Sequence, residues 1–288
     1  MSVLIFLGQT LRIAVPYLFA ASGGVVAERA GVVSLALEGF MLTGAFAAAL
    51  GSFYSGSAVV GILTGMSAGL LCGLLHALCC VRFRADQVVV GIAINLLVAG
   101  ITRFFLQLAF DSSSNSPRIP GLASAGGGIG NPLIWLAIVC VLVVAWLMRS
   151  TVLGLRIRAV GEHPQAAVSA GLSVGRLRYM AVGLSGVLAS LGGVYLALDQ
   201  HQFTDGMSAG RGFIALAAVI FGRWEPLRVA LACLLFAALE TLQIQLQGME
   251  WLPTQFVQML PYVVTLIALA GLVGRSNPPA ALGRPFDG

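Results

Sequence analysis

Residues 87–110 read QVVVGIAINLLVAGITRFFLQLAF, in which only Gln87, Asn95, Thr102, Arg103 and Gln107 are polar. A helix of that length reaches about 36 Å at the α-helical rise, enough to cross a hydrocarbon core of about 30 Å. Its one charge, Arg103, lies about 24 Å along that helix from Gln87, within snorkelling reach of the outer interface. The stretch therefore reads as a membrane span.

Similar runs occur near 10–26, 34–51, 57–80, 132–148, 179–198, 228–247 and 254–274. A further apolar run at 211–222 covers only about 18 Å, too little to cross. The expected fold is all-α, a polytopic transmembrane helix bundle of 8–10 helices including one broken or half-length helix. Composition agrees: the chain of 288 residues is 58% hydrophobic, carries 36 glycines and is only 9% charged. Soluble domains average about 25% charged residues. Abundant Gly and Ala predict close helix packing. We expect a single transmembrane domain over 1–288, with an outer Ser/Gly/Pro-rich loop at 111–131, an inner loop at 149–178 and a tail at 275–288. The N-terminal run, interrupted by Arg12, reads as a retained span rather than a cleaved signal peptide.

All 16 basic residues are arginine. A chain without lysine has no Walker A loop and no Schiff-base lysine, so driven transport needs an ion gradient or a second, ATP-hydrolysing subunit. Arg29, Arg82, Arg84, Arg149, Arg156, Arg158, Arg176, Arg178, Arg223, Arg228, Arg275 and Arg284 fall on one side of the expected bundle. Arg12, Arg103, Arg118 and Arg211 fall toward the other. The positive-inside rule makes the richer side cytoplasmic, with the C-terminus inside and the N-terminus outside. The cysteines read as packing residues, no metal-ligand spacing occurs, and neither HExxH nor GxSxG is present, so no catalytic residue is nominated.

The inner loop, RSTVLGLRIRAVGEHPQAAVSAGLSVGRLR, contains a short helix signal. Pro164 stands where a helix starts and Gly171 where it stops, while Glu162 puts a negative charge near the positive end. Seven residues are too few to be stable alone. The segment needs a surface, either its own bundle or a cytoplasmic partner.

Ionisable and amide groups inside spans face the bundle interior or a cavity. Glu38, Asn95 and Glu240 are such groups. Asp205–Phe213 carries three glycines directly before the half-length run, the pattern of a broken helix, which in transporters marks a substrate pathway. A faint echo links AGVVSLAL (30–37) with AGRGFIAL (209–216).

Four stretches resemble one family: ERAGVVSLALEGFMLTGAFAAA (28–49), ADQVVVGIAINLL (85–97), RAVGEHPQAAVSAGLSVGRLRYMAVGLSGVLASLGGVYLAL (158–198) and GMSAGRGFIALAAVIFGRWEP (206–226). They resemble the permease subunits of bacterial ABC importers for branched-chain amino acids, ribose and nucleosides, most closely the nucleoside or simple-sugar branch. The resemblance implies a type II-like importer bundle in the bacterial inner (plasma) membrane. It implies a second permease subunit, a pair of cytoplasmic ABC ATPase subunits that bind ATP and Mg, and a periplasmic or lipoprotein substrate-binding protein. This chain itself would hold no cofactor and interact with no nucleic acid. On the same match Glu162, His163, Pro164, Ala166, Ala167 and Gly171 form the ATPase-coupling segment. Ser34 stands where the family usually has Asn, Leu35-Ala36 where it has a Gly-rich pair, and His163 where Asn is common. Ser34, Glu38, Asn95, Arg211, Phe213 and Glu240 are the expected pathway residues, and the expected cargo is a nucleoside or related small polar solute. The alternative class is a stand-alone gradient-driven carrier or channel using Glu38 and Glu240 as ion sites.

Overall fold

The computed structural model describes residues 3–122, 130–247 and 277–286; the expected span at 254–274 lies outside them. The described residues form α1 (Val3–Arg29), α2 (Leu37–Ser55), α3 (Ala58–Ala77), α4 (Gln87–Phe110), α5 (Pro132–Ser150), α6 (Val152–Glu162), α7 (Pro164–Ser169), α8 (Val174–Gln200), α9 (Arg211–Phe221) and α10 (Pro226–Leu246). A π-helical turn at Leu78–Arg82 extends α3.

Six of these helices are long and apolar enough to cross a membrane: α1, α3 with its extension, α4, α5, α8 and α10. The centre and the rim separate clearly. In α1 and α8 the apolar stretch is 83% and 89% buried, whereas in α4 it is 22% buried. Core helices pack on all sides, and α4 turns one stripe (Gln87, Gly91, Ile94, Val98, Thr102, Leu106) inward. The run expected at 34–51 begins its helix only at Leu37, because residues 31–36 are non-helical. This helix, α2, is packed against both α3 and α8. Its Gly, Ala, Ser and Thr content gives close packing in place of a lipid-facing surface.

Small residues set the closest approaches. A Cβ on Gly193 of α8 would collide with the carbonyl oxygen of Met41 in α2, and one on Gly44 would collide with the backbone of Ser190. Only glycine lets these two backbones meet.

Residues 149–178 contain more helix than the expected loop. Thr151 Oγ1 accepts from the Gly154 amide at 3.1 Å and starts α6, whose Gly154, Ile157, Val160 and Gly161 face inward. Arg156 and Arg158 interrupt the hydropathy of this helix, which hides it in the sequence. Next comes α7, with Pro164 at its first position as expected, and Gly171 adopts φ +79° just past its end. Val160, Ala167, Val174 and Leu177 form a small apolar cluster, with Phe286 of the tail against it.

Candidate functional site: a broken helix and an arginine-rich corner

After α8 ends at Gln200, the chain turns through left-handed His201, Gly206, Ala209 and Gly210 and enters α9 at Arg211. The half-length helix is thus real, and its first N–H groups have no acceptor within the helix. Glu38, in the first turn of α2, supplies one. Its Oε1 accepts from the Gly210 amide at 2.8 Å and its Oε2 from the Gly212 amide at 2.7 Å. A carboxylate at a helix N-terminus is held by both the amides and the helix dipole. Glu38 sits where two helix N-termini meet.

Asn95 does the corresponding work for α2. Its Oδ1 accepts from the Gly39 amide at 2.8 Å while its Nδ2 donates to the Leu35 carbonyl at 2.9 Å. The amide bridges the gap in the backbone ladder where the chain enters α2.

Arg211 links this node to α10 and α1. Its Nη2 donates to Glu240 Oε1 at 3.3 Å, its Nη1 to the Met207 carbonyl at 3.3 Å, and the Tyr17 hydroxyl donates to the other Glu240 oxygen. Arg211 also lines a cavity of about 280 Å³ with Gln9, Arg12, Tyr195, Asp199 and Gln200, where Arg12 pairs with Asp199 at 3.0 Å. This cavity, whose lining also includes Ile13, Pro16, Leu196 and Ile244, lies toward the end of the bundle opposite α6 and α7.

Of the other expected pathway residues, Phe213 is 46% exposed and shares an outward face of α9 with Ile220. Ser34 is buried elsewhere: its hydroxyl donates to the Gly24 carbonyl at 3.4 Å and its amide to Glu28 Oε1 at 3.2 Å. The structure therefore joins Glu38 to the start of α9, brings Arg211 and Glu240 together, and leaves Ser34 in the α1–α2 connection.

Two residues overlooked in the sequence hold the far end of α9. Trp224 follows it in a left-handed turn (φ +56°). Its indole donates to Glu28 Oε2 and its carbonyl accepts from Arg29 Nε at 3.0 Å. A polar indole within FGRWEP was the available signal, since a buried tryptophan N–H needs an acceptor. The end of α1 and the start of α2, on either side of the non-helical stretch 30–36, thus hold α9 at its two ends.

At the corner, Pro164 and Ala167 face the protein itself, whereas Glu162, His163, Ala166 and Gly171 face out together with Gln165, Val168 and Ser169. Glu162 lies 4.0 Å from Arg29 and accepts from the Ala280 amide at 3.3 Å. A Cβ at Gly161 would collide with the Arg29 carbonyl, so the corner sits directly on the end of α1. The basic end of the bundle is the same end: Arg149 and Arg228 both pair with Glu225, and Arg178 reaches the carbonyls of Ala30 and Arg284.

Comparison with known proteins places the chain among transporter permeases. NupQ of Bacillus subtilis (strain 168), a guanosine ABC transporter permease protein, is 37% identical over 98% of this chain and 96% of its own length. NupC of Lactococcus lactis subsp. cremoris (strain MG1363), a nucleoside ABC transporter permease protein, is 35% identical over 97% of this chain and 95% of its own. TsgC13 of Haloferax volcanii, a putative glucose ABC transporter permease protein, is 33% identical over 85% of this chain and 78% of its own. Second permeases of the first two organisms, NupP and NupB, also match, at 23% and 24% identity. No solved structure matches the chain. The family described as branched-chain amino acid transport system / permease component matches residues 6–269, and the chain belongs to that family.

Proposed function

We propose that the chain is one of two nonidentical permease subunits of an ATP-driven importer for nucleosides, in a bacterial inner membrane with its basic end and C-terminus in the cytoplasm. The observation that carries this reading is the outward face of α7, which presents His163, Gln165, Ala166, Val168 and Ser169 while Pro164 and Ala167 anchor it inward. An amphipathic turn too short to persist alone, set at the arginine-rich end, fits docking to a cytoplasmic ATPase. That ATPase would bind ATP and Mg, and a binding protein outside would deliver the solute. The nucleoside assignment follows two bacterial relatives, 37% and 35% identical, and the paired second permeases of those organisms favour a heterodimer.

In the mechanism, the ATPase pair closes and displaces the α6–α7 corner. Because Gly161 rests on Arg29, the end of α1 moves with it, and α9 follows through Trp224 and Glu38. Phe213 and Ile220, on the outward face of α9, would then line the path shared with the second permease. The carrier alternative lacks support: both oxygens of Glu38 and both of Glu240 are already engaged by donors. The test is uptake of labelled guanosine into proteoliposomes holding the complete importer. ATP-dependent uptake that survives an uncoupler supports the reading, and uptake that collapses with the gradient contradicts it.

A further inference from the structure

The tail, residues 277–286, does not hang free of the bundle. The Ala281 amide donates to the Gly161 carbonyl at 2.9 Å, at the corner, and the Gly283 amide donates to the Gly31 carbonyl at 3.3 Å, at the α1–α2 connection. The Ala280 amide reaches Glu162 as well, and Ala281 is buried. Phe286 packs on the cluster that also seats Ala167 of α7. Ten residues thus touch the docking corner and the non-helical break, whose flanking residues Glu28, Arg29 and Glu38 hold α9.

Arg178 binds these parts together. It is one of the twelve arginines on the richer side of the bundle, and it is 1% exposed. From the first turns of α8 its Nε donates to the Ala30 carbonyl at 3.2 Å and its Nη1 to the Arg284 carbonyl at 3.1 Å. No described carboxylate forms an ion pair with it. Burying a guanidinium against carbonyls alone is costly, and simple packing would be better met by an apolar side chain. The rigid fork can hold two separate carbonyls at once, which a lysine ammonium on a flexible stem does poorly.

We infer that the C-terminal tail is a transmission strap, locked by Arg178, that carries motion of the α6–α7 corner to the α1–α2 break and so to α9. Arg178 is a positioning residue: it touches neither solute nor ATPase, and it fixes the relative placement of tail and break. The inference rests on the importer reading above, in that the corner must be where the ATPase pushes.

The test uses the full importer, purified from its native membrane through a tag on this chain and reconstituted. Three forms are compared: wild type, Arg178→Lys, and a milder Phe286→Ala. ATPase co-purification, ATP hydrolysis and solute uptake are measured on each. The strap predicts that both variants keep the ATPase and hydrolyse ATP, while uptake per ATP falls about tenfold for Arg178→Lys and less for Phe286→Ala. Unchanged uptake per ATP in both variants overturns it. Loss of ATPase co-purification in the variants also overturns it, because the tail would then serve docking rather than transmission. Absence of an ATPase from the wild-type preparation instead refutes the importer reading itself.

Discussion

Glu38 and Gly212 lie 174 residues apart, yet a carboxylate oxygen of one accepts the amide hydrogen of the other at 2.7 Å. With the matching bond to Gly210, this fixes the start of α9 to the start of α2. Glu38→Ala leaves two amides without an acceptor, and each hydrogen bond to a charged group contributes about 1.5–3 kcal/mol. The variant should melt earlier in detergent and lose uptake. Glu38→Gln offers only one acceptor oxygen and should fall between it and wild type. A pair of melting curves measures both.

The corner makes a separable prediction. Val168 is 47% exposed on α7, whereas Ala167 is 4% exposed. Val168→Asp should leave the protein folded and inserted but abolish ATPase co-purification. Ala167→Trp fills occupied space and should lower stability as well, by about 1–3 kcal/mol. Size-exclusion profiles together with pull-down yield distinguish the two.

Arg211 and Glu240 are both about a quarter exposed, at 23% and 25%, so their pairing is partly screened. If the two hold each other, removing both should cost less than the two single losses added together. A double-mutant cycle with Arg211→Met and Glu240→Gln should give a coupling of about 0.5–3 kcal/mol in stability. Coupling near zero would mean that the contact does not hold α9 against α10.

Packing between α2 and α8 depends on Gly193. Gly193→Ala pushes a methyl group into the Met41 carbonyl, and the helices must separate or shift. We expect markedly reduced yield and a lower melting temperature. Gly100→Ala, on α4 where nothing lies within contact distance, should be silent.

The six spans that α1, α3, α4, α5, α8 and α10 form were legible because lipid demands long apolar runs. The run at 34–51 became α2, which is not among them, and the run at 254–274 lies outside the described residues. The half-length helix and the Pro164–Gly171 turn were legible for local reasons of length and capping. Even the echo between 30–37 and 209–216 has a geometric counterpart, since Gly31 and Gly210 both adopt positive φ, +86° and +81°. What stayed hidden was pairing at long range. Glu38 announced itself as a buried carboxylate, but nothing near it in sequence names the amides of Gly210 and Gly212. Glu28 and Trp224 make the same kind of contact 196 residues apart. Arg178 was assigned to the arginine-rich end, where the structure has it, but nothing near it in sequence names the carbonyls of Ala30 and Arg284 that it reaches. The amphipathic α6 was missed because its two central arginines hide a pattern too brief to stand out.

The most direct measurement is gentle purification of the tagged chain from its native membrane, with every co-purifying protein identified after cross-linking. An importer permease must bring with it a lysine-bearing P-loop ATPase and a second, nonidentical permease. Recovery of this chain alone, as a homo-oligomer with no ATPase, would contradict the proposed role and return attention to Glu38 and Glu240 as ion-coupling groups.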